Sequence, residues 1–203
     1  MIYLIFTTSI DLIGCVNNNE DRVARYKDSI TKTLSLLPAC IQPIIVENNG
    51  KRKTFLDDLN VPVHYTNNNF RQFPHKGMKE MLDIQSAMDA FQIKGDDMVI
   101  KITGRYHVLN STFFEFVIQH KDEYDVCMKY FNVCSQQYND NDCVLGLFAM
   151  RAKYLRAFSY HQRNYSVEIQ FAEYTHTLQR PIYKCENLHL HCIFSDNLIQ
   201  IDV

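Results

Sequence analysis

Arg105 stands in the run Lys101-Ile102-Thr103-Gly104-Arg105-Tyr106, and its chemistry is that of an anion binder. A guanidinium neutralises phosphate charge through paired N–H donors and keeps its own charge at any working pH. The plainer alternative is an ion pair with a surface carboxylate, which contributes little. Lys76-Gly77 opens a helical stretch. A helix start offers unpaired N–H groups and a partial positive charge to an anion such as a diphosphate; Lys76 would add a point charge, and Gly77 would let the backbone come close. The same pair also reads as an exposed loop. Asp140-Asn141-Asp142 supplies oxygen ligands that suit magnesium or manganese, although Asp and Asn gather in turns for local reasons too. Asp96-Asp97 lies before a strand, at the wrong end for such a site. Cys185, His189, His191 and Cys192 have the ligand types of a zinc site without the separated pairs that structural zinc sites use.

These residues need a frame, and strand-like and helix-like segments alternate as in an α/β sheet with helices on its faces. The apolar runs Ile2–Thr7, Pro43–Val46, Val61–Tyr65 and Met98–Ile102 read as buried strands. Glu20–Leu37 and Lys76–Phe91 carry apolar residues three and four apart and read as long helices. Later come a short helix at Phe55–Leu59, helices at Ser111–His120, Ala152–Tyr160 and Val167–Leu178, and strands at Val126–Tyr130, Val144–Met150, Ile182–Tyr183 and Leu190–Phe194. Ligands of open α/β sheets bind outside the carboxyl ends of the strands. The segments there are Thr7-Thr8-Ser9, Glu47-Asn48-Asn49-Gly50, Thr66-Asn67-Asn68-Asn69 and Thr103-Gly104-Arg105-Tyr106, and all four are polar.

A chain of 203 residues with 46% hydrophobic and 22% charged residues has the composition of one ordinary globular domain, covering 1–203. A net charge of −2 disfavours nucleic acid and anionic membrane as partners, and Lys51-Arg52-Lys53 reads as a solvated loop. No run approaches the roughly 20 apolar residues of a membrane span. Seven cysteines without paired spacing suit reduced thiols in the cytoplasm.

The order of these motifs resembles that of nucleotide-sugar glycosyltransferases of the GT-A fold, especially small bacterial and viral members. It runs from the strand ending in Thr7-Thr8, through Arg22, Arg25 and Tyr26, Val46–Gly50, Lys76-Gly77 with Glu80, and Lys101–Tyr106, to Gly146–Arg151 and Ser166-Val167-Glu168. The resemblance implies a Rossmann-related, mostly parallel central sheet flanked by helices. It implies a UDP- or GDP-sugar donor and a glycan or other hydroxyl acceptor, as in glycan synthesis. Thr7, Thr8, Glu47 and Asn48 then fall where the nucleobase and ribose are held, and Arg22 on the following helix falls among the donor contacts. Lys76, Gly77, Glu80, Lys101, Thr103, Gly104, Arg105 and Tyr106 fall along the rest of the donor. Glu168 falls where inverting members keep the base for the acceptor hydroxyl, though a first-turn Glu also simply favours the helix dipole.

One departure matters. Most relatives carry Asp-x-Asp after the fourth strand to hold a divalent metal, and here Thr103-Gly104-Arg105 stands in its place. Two expectations stay open. Either manganese or magnesium is bound elsewhere, by Asp140, Asp142 or His191, or the enzyme is metal-independent and Arg105 does part of the metal's work. Beside glycosyl transfer stand two other readings, a sugar nucleotidyltransferase and a non-catalytic nucleotide-sugar-binding module. Against the first, Thr8–Val16 has Gly14 but no basic residue.

Overall fold

The computed structural model describes residues 1–11, 19–72, 76–161, 165–193 and 200–203, with the side chains of residues 19 and 76 also outside the description. Gly14 and most of the loop after the first strand therefore lie outside the described residues.

β1 (Ile2–Thr8) is buried along its whole length and pairs in parallel with β2 (Ile41–Glu47) on one side and β4 (Met98–Thr103) on the other. Its side chains alternate between two cores, as the pleat requires. Ile2, Leu4 and Phe6 meet Tyr26 and Ile30 of α1 (Asn19–Ser35) and Phe113 and Phe114 of α3 (Thr112–His120). Tyr3 and Ile5 face Met81, Ile84 and Met88 of α2 (Lys76–Ala90), with α4 (Ala152–Ala157) and α5 (Val167–Thr177) on the same side. This double cover explains why β1 and β4 read as near-continuous apolar runs.

β3 (Val63–Tyr65), β6 (Val126–Met128), β7 (Leu147–Arg151) and β8 (Ile182–Lys184) complete a seven-stranded sheet in the order β3-β2-β1-β4-β7-β6-β8. The architecture is thus α/β with a mostly parallel central sheet flanked by helices. One strand departs from the pattern: β7 runs antiparallel to both β4 and β6. The chain leaves β6, makes an excursion tied by the bridge between Tyr130 and Cys143, and returns as β7. The strand expected from Val144 accordingly starts at Leu147, because Val144–Gly146 still belong to the returning arm.

A second sheet, absent from the sequence reading, joins β5 (His107–Val108), β9 (Leu190–Ile193) and β10 (Gln200–Asp202) in the order β10-β9-β5. Leu190 of β9 packs into the same core as Tyr106 and Leu147.

Candidate functional site

The strand order reverses at β1: the chain proceeds from β1 to β2 and β3 on one side, and β4 then inserts on the other. Such a switch point is the ligand crevice of open α/β sheets. Register brings Thr7 of β1 beside Thr103 of β4, and Thr8 beside Glu47 of β2. Above these ends opens a cleft of about 680 Å3. Of the residues singled out in the sequence, Thr7, Thr8, Arg22, Asn48, Gly77, Glu80, Thr103, Arg105, Tyr106 and Glu168 line it.

Arg105 follows β4 and reaches across one wall. Its Nε donates to the Ile193 carbonyl at 3.0 Å, an Nη2 proton points to the Tyr106 hydroxyl at 3.4 Å, and the guanidinium lies 4.9 Å from the Tyr106 ring centroid. No carboxylate among the described residues pairs with it directly. Burial works against its charge, but Tyr26, Tyr106 and Glu80 more than offset this and hold its pKa above the ordinary value. The Tyr106 hydroxyl is pushed up to about 12, by burial first, with Arg105 opposing. Tyr106 can lie this flat only because Gly146 sits under it: a Cβ there would meet the ring at 2.6 Å. Lys79 and the rim residue Arg71 also line the cleft.

Arg22 lines the cleft with its guanidinium committed, donating to the Ser9 carbonyl at 2.6 and 2.9 Å and to that of Ile10 at 3.1 Å. Through Nε and Nη2 it pins the chain leaving β1. Glu47, expected beside a ligand, is fully buried below the cleft. Its carboxylate accepts from Thr8 Oγ1 at 2.6 Å, from the Ile10 and Asn49 amides, and from Arg52. Burial raises its pKa, with Thr8 foremost among the groups that oppose the rise. Asn48, next in the chain, is the cleft-facing member of the pair, and its buried Oδ1 has no hydrogen-bond partner among the described residues.

Asn48 is oriented by Asp83, which the sequence reading passed over. The Asp83 carboxylate accepts from Asn48 Nδ2 at 2.9 Å, Thr66 Oγ1 at 2.6 Å and Asn68 Nδ2 at 2.7 Å, and is almost completely buried. Burial pushes its pKa up to about 6 from an ordinary 3.8, the three donors pulling the other way. With the folded value above the unfolded one, the fold takes up a proton between those limits. This group's contribution to stability is therefore fully present below about pH 4 and is lost as pH rises through about 6. We expect the stability difference between wild type and Asp83→Asn to shrink, in wild type's disfavour, from pH 4 to pH 7. Urea unfolding across that range tests it; a difference that stays flat or grows with pH refutes the assignment.

Lys101 and Gly104, also expected at a ligand, do not line the cleft. Lys101 is 1% exposed and spends its three protons on Glu80 Oε1 at 2.8 Å, Thr103 Oγ1 at 2.7 Å and the Leu145 carbonyl at 2.5 Å. Gly104 turns the chain tightly: its N–H donates to the Thr7 carbonyl at 2.9 Å, and a Cβ would stand 2.8 Å from Thr8. Lys76 is the first residue of α2, and its side chain is outside the described residues.

The three metal candidates sit apart from the cleft lining. Asp140 Oδ1 accepts from Tyr138 at 2.5 Å and Lys184 at 2.7 Å, Asp142 from Asn132 Nδ2 and the Cys143 amide at 2.8 Å each, and His191 Nδ1 pairs with Asp202 at 2.6 Å. Cys192, not His191, lines the cleft, as strand alternation requires. Among the described residues no three His, Cys, Asp or Glu side chains converge on one point. At Thr103–Arg105 and the neighbouring Lys101 the groups are a threonine hydroxyl, a guanidinium and a buried ammonium, a donor set that does not fit a divalent cation.

Glu168 stands in the first turn of α5, whose N-cap Ser166 accepts from the Ile169 amide at 3.3 Å. Its carbonyl accepts from Cys143 Sγ at 3.1 Å, joining α5 to the returning arm before β7. Val133, Val144 and Leu145 also line the cleft. The cleft thus has a cationic wall at Arg105, an amide and carboxylate corner at Asn48 and Asp83, and a carboxylate at Glu168.

No family model and no curated protein matches the chain. Among solved structures it is similar to a mannosyltransferase from Pyrobaculum calidifontis in complex with GDP-Man and Mn2+, at 8% identity and a TM-score of 0.59, over 92% of this chain and 55% of that one. It is similar to a nucleotidyl transferase from Methanothermobacter thermautotrophicus at 13% identity and a TM-score of 0.58, over 91% and 86% of the two chains. A protein from Desulfovibrio desulfuricans G20, provisionally named a nucleotide-diphospho-sugar transferase, matches at 12% and 0.58, over 91% and 79%. At such identities these likenesses establish the fold.

Proposed function

We propose that this chain is a glycosyltransferase, moving a hexosyl or pentosyl group from a UDP- or GDP-sugar to an acceptor hydroxyl. The observation that carries the reading is Arg105: a guanidinium without a carboxylate partner, bracketed by two tyrosines at the switch point of the sheet. A half-buried cation so placed calls for an anion, and a diphosphate would bridge the span from Arg105 toward the corner at Asn48, where an acceptor without a partner among the described residues awaits an N–H or O–H. The likeness to a mannosyltransferase holding GDP-Man supports the donor class.

In the reaction, Arg105 neutralises charge growing on the leaving diphosphate. The acceptor oxygen bonds to the anomeric carbon as the bond from that carbon to the phosphate oxygen breaks, and Glu168 takes the acceptor proton. Direct displacement of this kind inverts the anomeric centre. Residues 1–203 act as one catalytic domain, in our reading cytoplasmic; no helix among the described residues is long and apolar enough to cross a membrane. Nucleotidyl transfer is the second reading, favoured by the likeness to a nucleotidyl transferase. It would show as pyrophosphate release from a nucleoside triphosphate and a sugar phosphate.

A ligand that binds only the folded state adds RT ln(1 + [L]/Kd) to stability. UDP, GDP or one of their sugars is therefore expected to raise the melting temperature. If none does so at millimolar concentration, the donor reading fails.

A further inference from the structure

Glu80 projects from α2 onto the junction of β1 and β4. One of its oxygens is saturated: Oε1 accepts from Thr7 Oγ1, from Thr103 Oγ1 at 3.1 Å and from Lys101 Nζ at 2.8 Å. The other, Oε2, has no partner among the described residues. The side chain is 27% exposed and lines the cleft. Two strands and a buried lysine thus fix this carboxylate by one atom and leave the second to the open space next to Arg105.

We propose that Glu80 Oε2 is the atom that reads the transferred sugar, accepting a hydrogen bond from a hydroxyl of the glycosyl group whose phosphate Arg105 holds. The inference rests on the donor reading above and adds what that reading leaves open, namely which residue recognises the sugar and by what chemistry. A carboxylate is an acceptor only, so its partner must be a donor. The diphosphate offers none; the ribose and base do, but in the donor reading they lie toward the corner at Asn48, whereas the glycosyl group, beyond the phosphate at Arg105, carries hydroxyls from the carbon next to the anomeric one onward. Burial disfavours the Glu80 charge, but Lys101 foremost, the Thr7 hydroxyl and Arg105 outweigh it and keep its pKa below the ordinary carboxylate range. An anion so well satisfied is a poor proton acceptor and a good fixed hydrogen-bond acceptor, which separates its role from that of Glu168. With an ammonium and a guanidinium as its neighbours, it is also poorly placed to hold a metal ion.

Glu80→Gln tests the point because of the same three donors. They draw the amide oxygen into the Oε1 position, so the cleft receives an NH2 group, a donor where an acceptor stood. The experiment is calorimetric titration of wild type and variant with UDP, GDP, UDP-glucose and GDP-mannose. The ratio of affinities for the nucleotide sugar and for its bare diphosphate is expected to fall by about tenfold or more in Glu80→Gln, the range of a hydrogen bond to a charged group. The diphosphate itself should bind the variant no more than about threefold more weakly than wild type, since it has no proton to give a carboxylate and losing the Glu80 charge removes a repulsion. A ratio that survives the substitution overturns the proposal, as does a loss shared equally by diphosphate and sugar. If none of the four ligands binds wild type, the donor reading has failed and takes this one with it, with a signature unlike a surviving ratio. Should Glu80→Gln fold poorly because Lys101 is left as an unpaired buried cation, Glu80→Gln combined with Lys101→Met removes both charges, and the same ratio is read from the pair.

Discussion

Glu168→Gln is expected to bind the nucleotide sugar with wild-type affinity and to turn it over ~10²–10⁴-fold more slowly, the usual cost of losing a general base. The substitution keeps the side chain's shape and its place in the first turn of α5, and Glu168 makes its hydrogen bond to Cys143 through the backbone. Folding and donor binding should therefore be little disturbed. The expectation separates catalysis from helix capping. A carboxylate that merely complements the helix dipole is worth ~0.3–1 kcal/mol of stability, and its loss would shift the melting temperature while leaving turnover alone. Turnover with donor and acceptor at saturation, read beside the melting temperature, decides between the two. Unchanged turnover removes Glu168 from the mechanism.

Arg105→Ala should weaken binding of the donor and of its bare diphosphate alike by roughly 10- to 100-fold, taking a charge-assisted hydrogen bond as ~1.5–3 kcal/mol. Arg105→Lys should recover only part of this. An ammonium cannot hold the Ile193 carbonyl, lie over Tyr106 and present a fork to phosphate together, as the guanidinium's geometry allows. Wild-type affinity in the alanine variant would exclude Arg105 from the site. The same assay bears on the metal. Where Arg105 supplies the positive charge, a chelator leaves activity largely intact. Strict dependence on manganese would instead return attention to Asp140, Asp142 and His191, which in the present structure serve Lys184, Asn132 and Asp202.

What the sequence displayed was the periodic part of this molecule. β1 and β4 are covered on both faces and so read as near-continuous apolar runs, broken in β4 only by Lys101, and their polar ends, Thr7-Thr8 and Thr103, follow from where the cover stops. The direction of β7 was not legible, because a buried strand reads the same run either way; its direction is set by the excursion from β6. β5 and β10 escaped because two or three residues carry no period. Asp83 illustrates the limit for a site, and Glu80 was reached only through the order of motifs. Spaced three apart beside the apolar Met81, Ile84 and Met88, they look like the charged flank of any amphipathic helix. The nearest thing to a signal for Asp83 lay in its partners, since Asn48, Thr66 and Asn68 all follow strands at the same end of the sheet.

The pairing of β1 also bears on how the chain comes to be folded. The strand at the heart of the large sheet is made first, yet one of its two neighbours, β4, begins only at Met98. While the chain is being synthesised at ~5–20 residues per second, Ile2–Phe6 must wait several seconds for that partner to emerge. Closing so long a loop before its contacts can reward it places this protein among the slower, non-local folders. Meanwhile an unpaired apolar strand edge is on offer to other chains, so the protein should be most prone to aggregation on the ribosome or early in refolding, before β4 has docked.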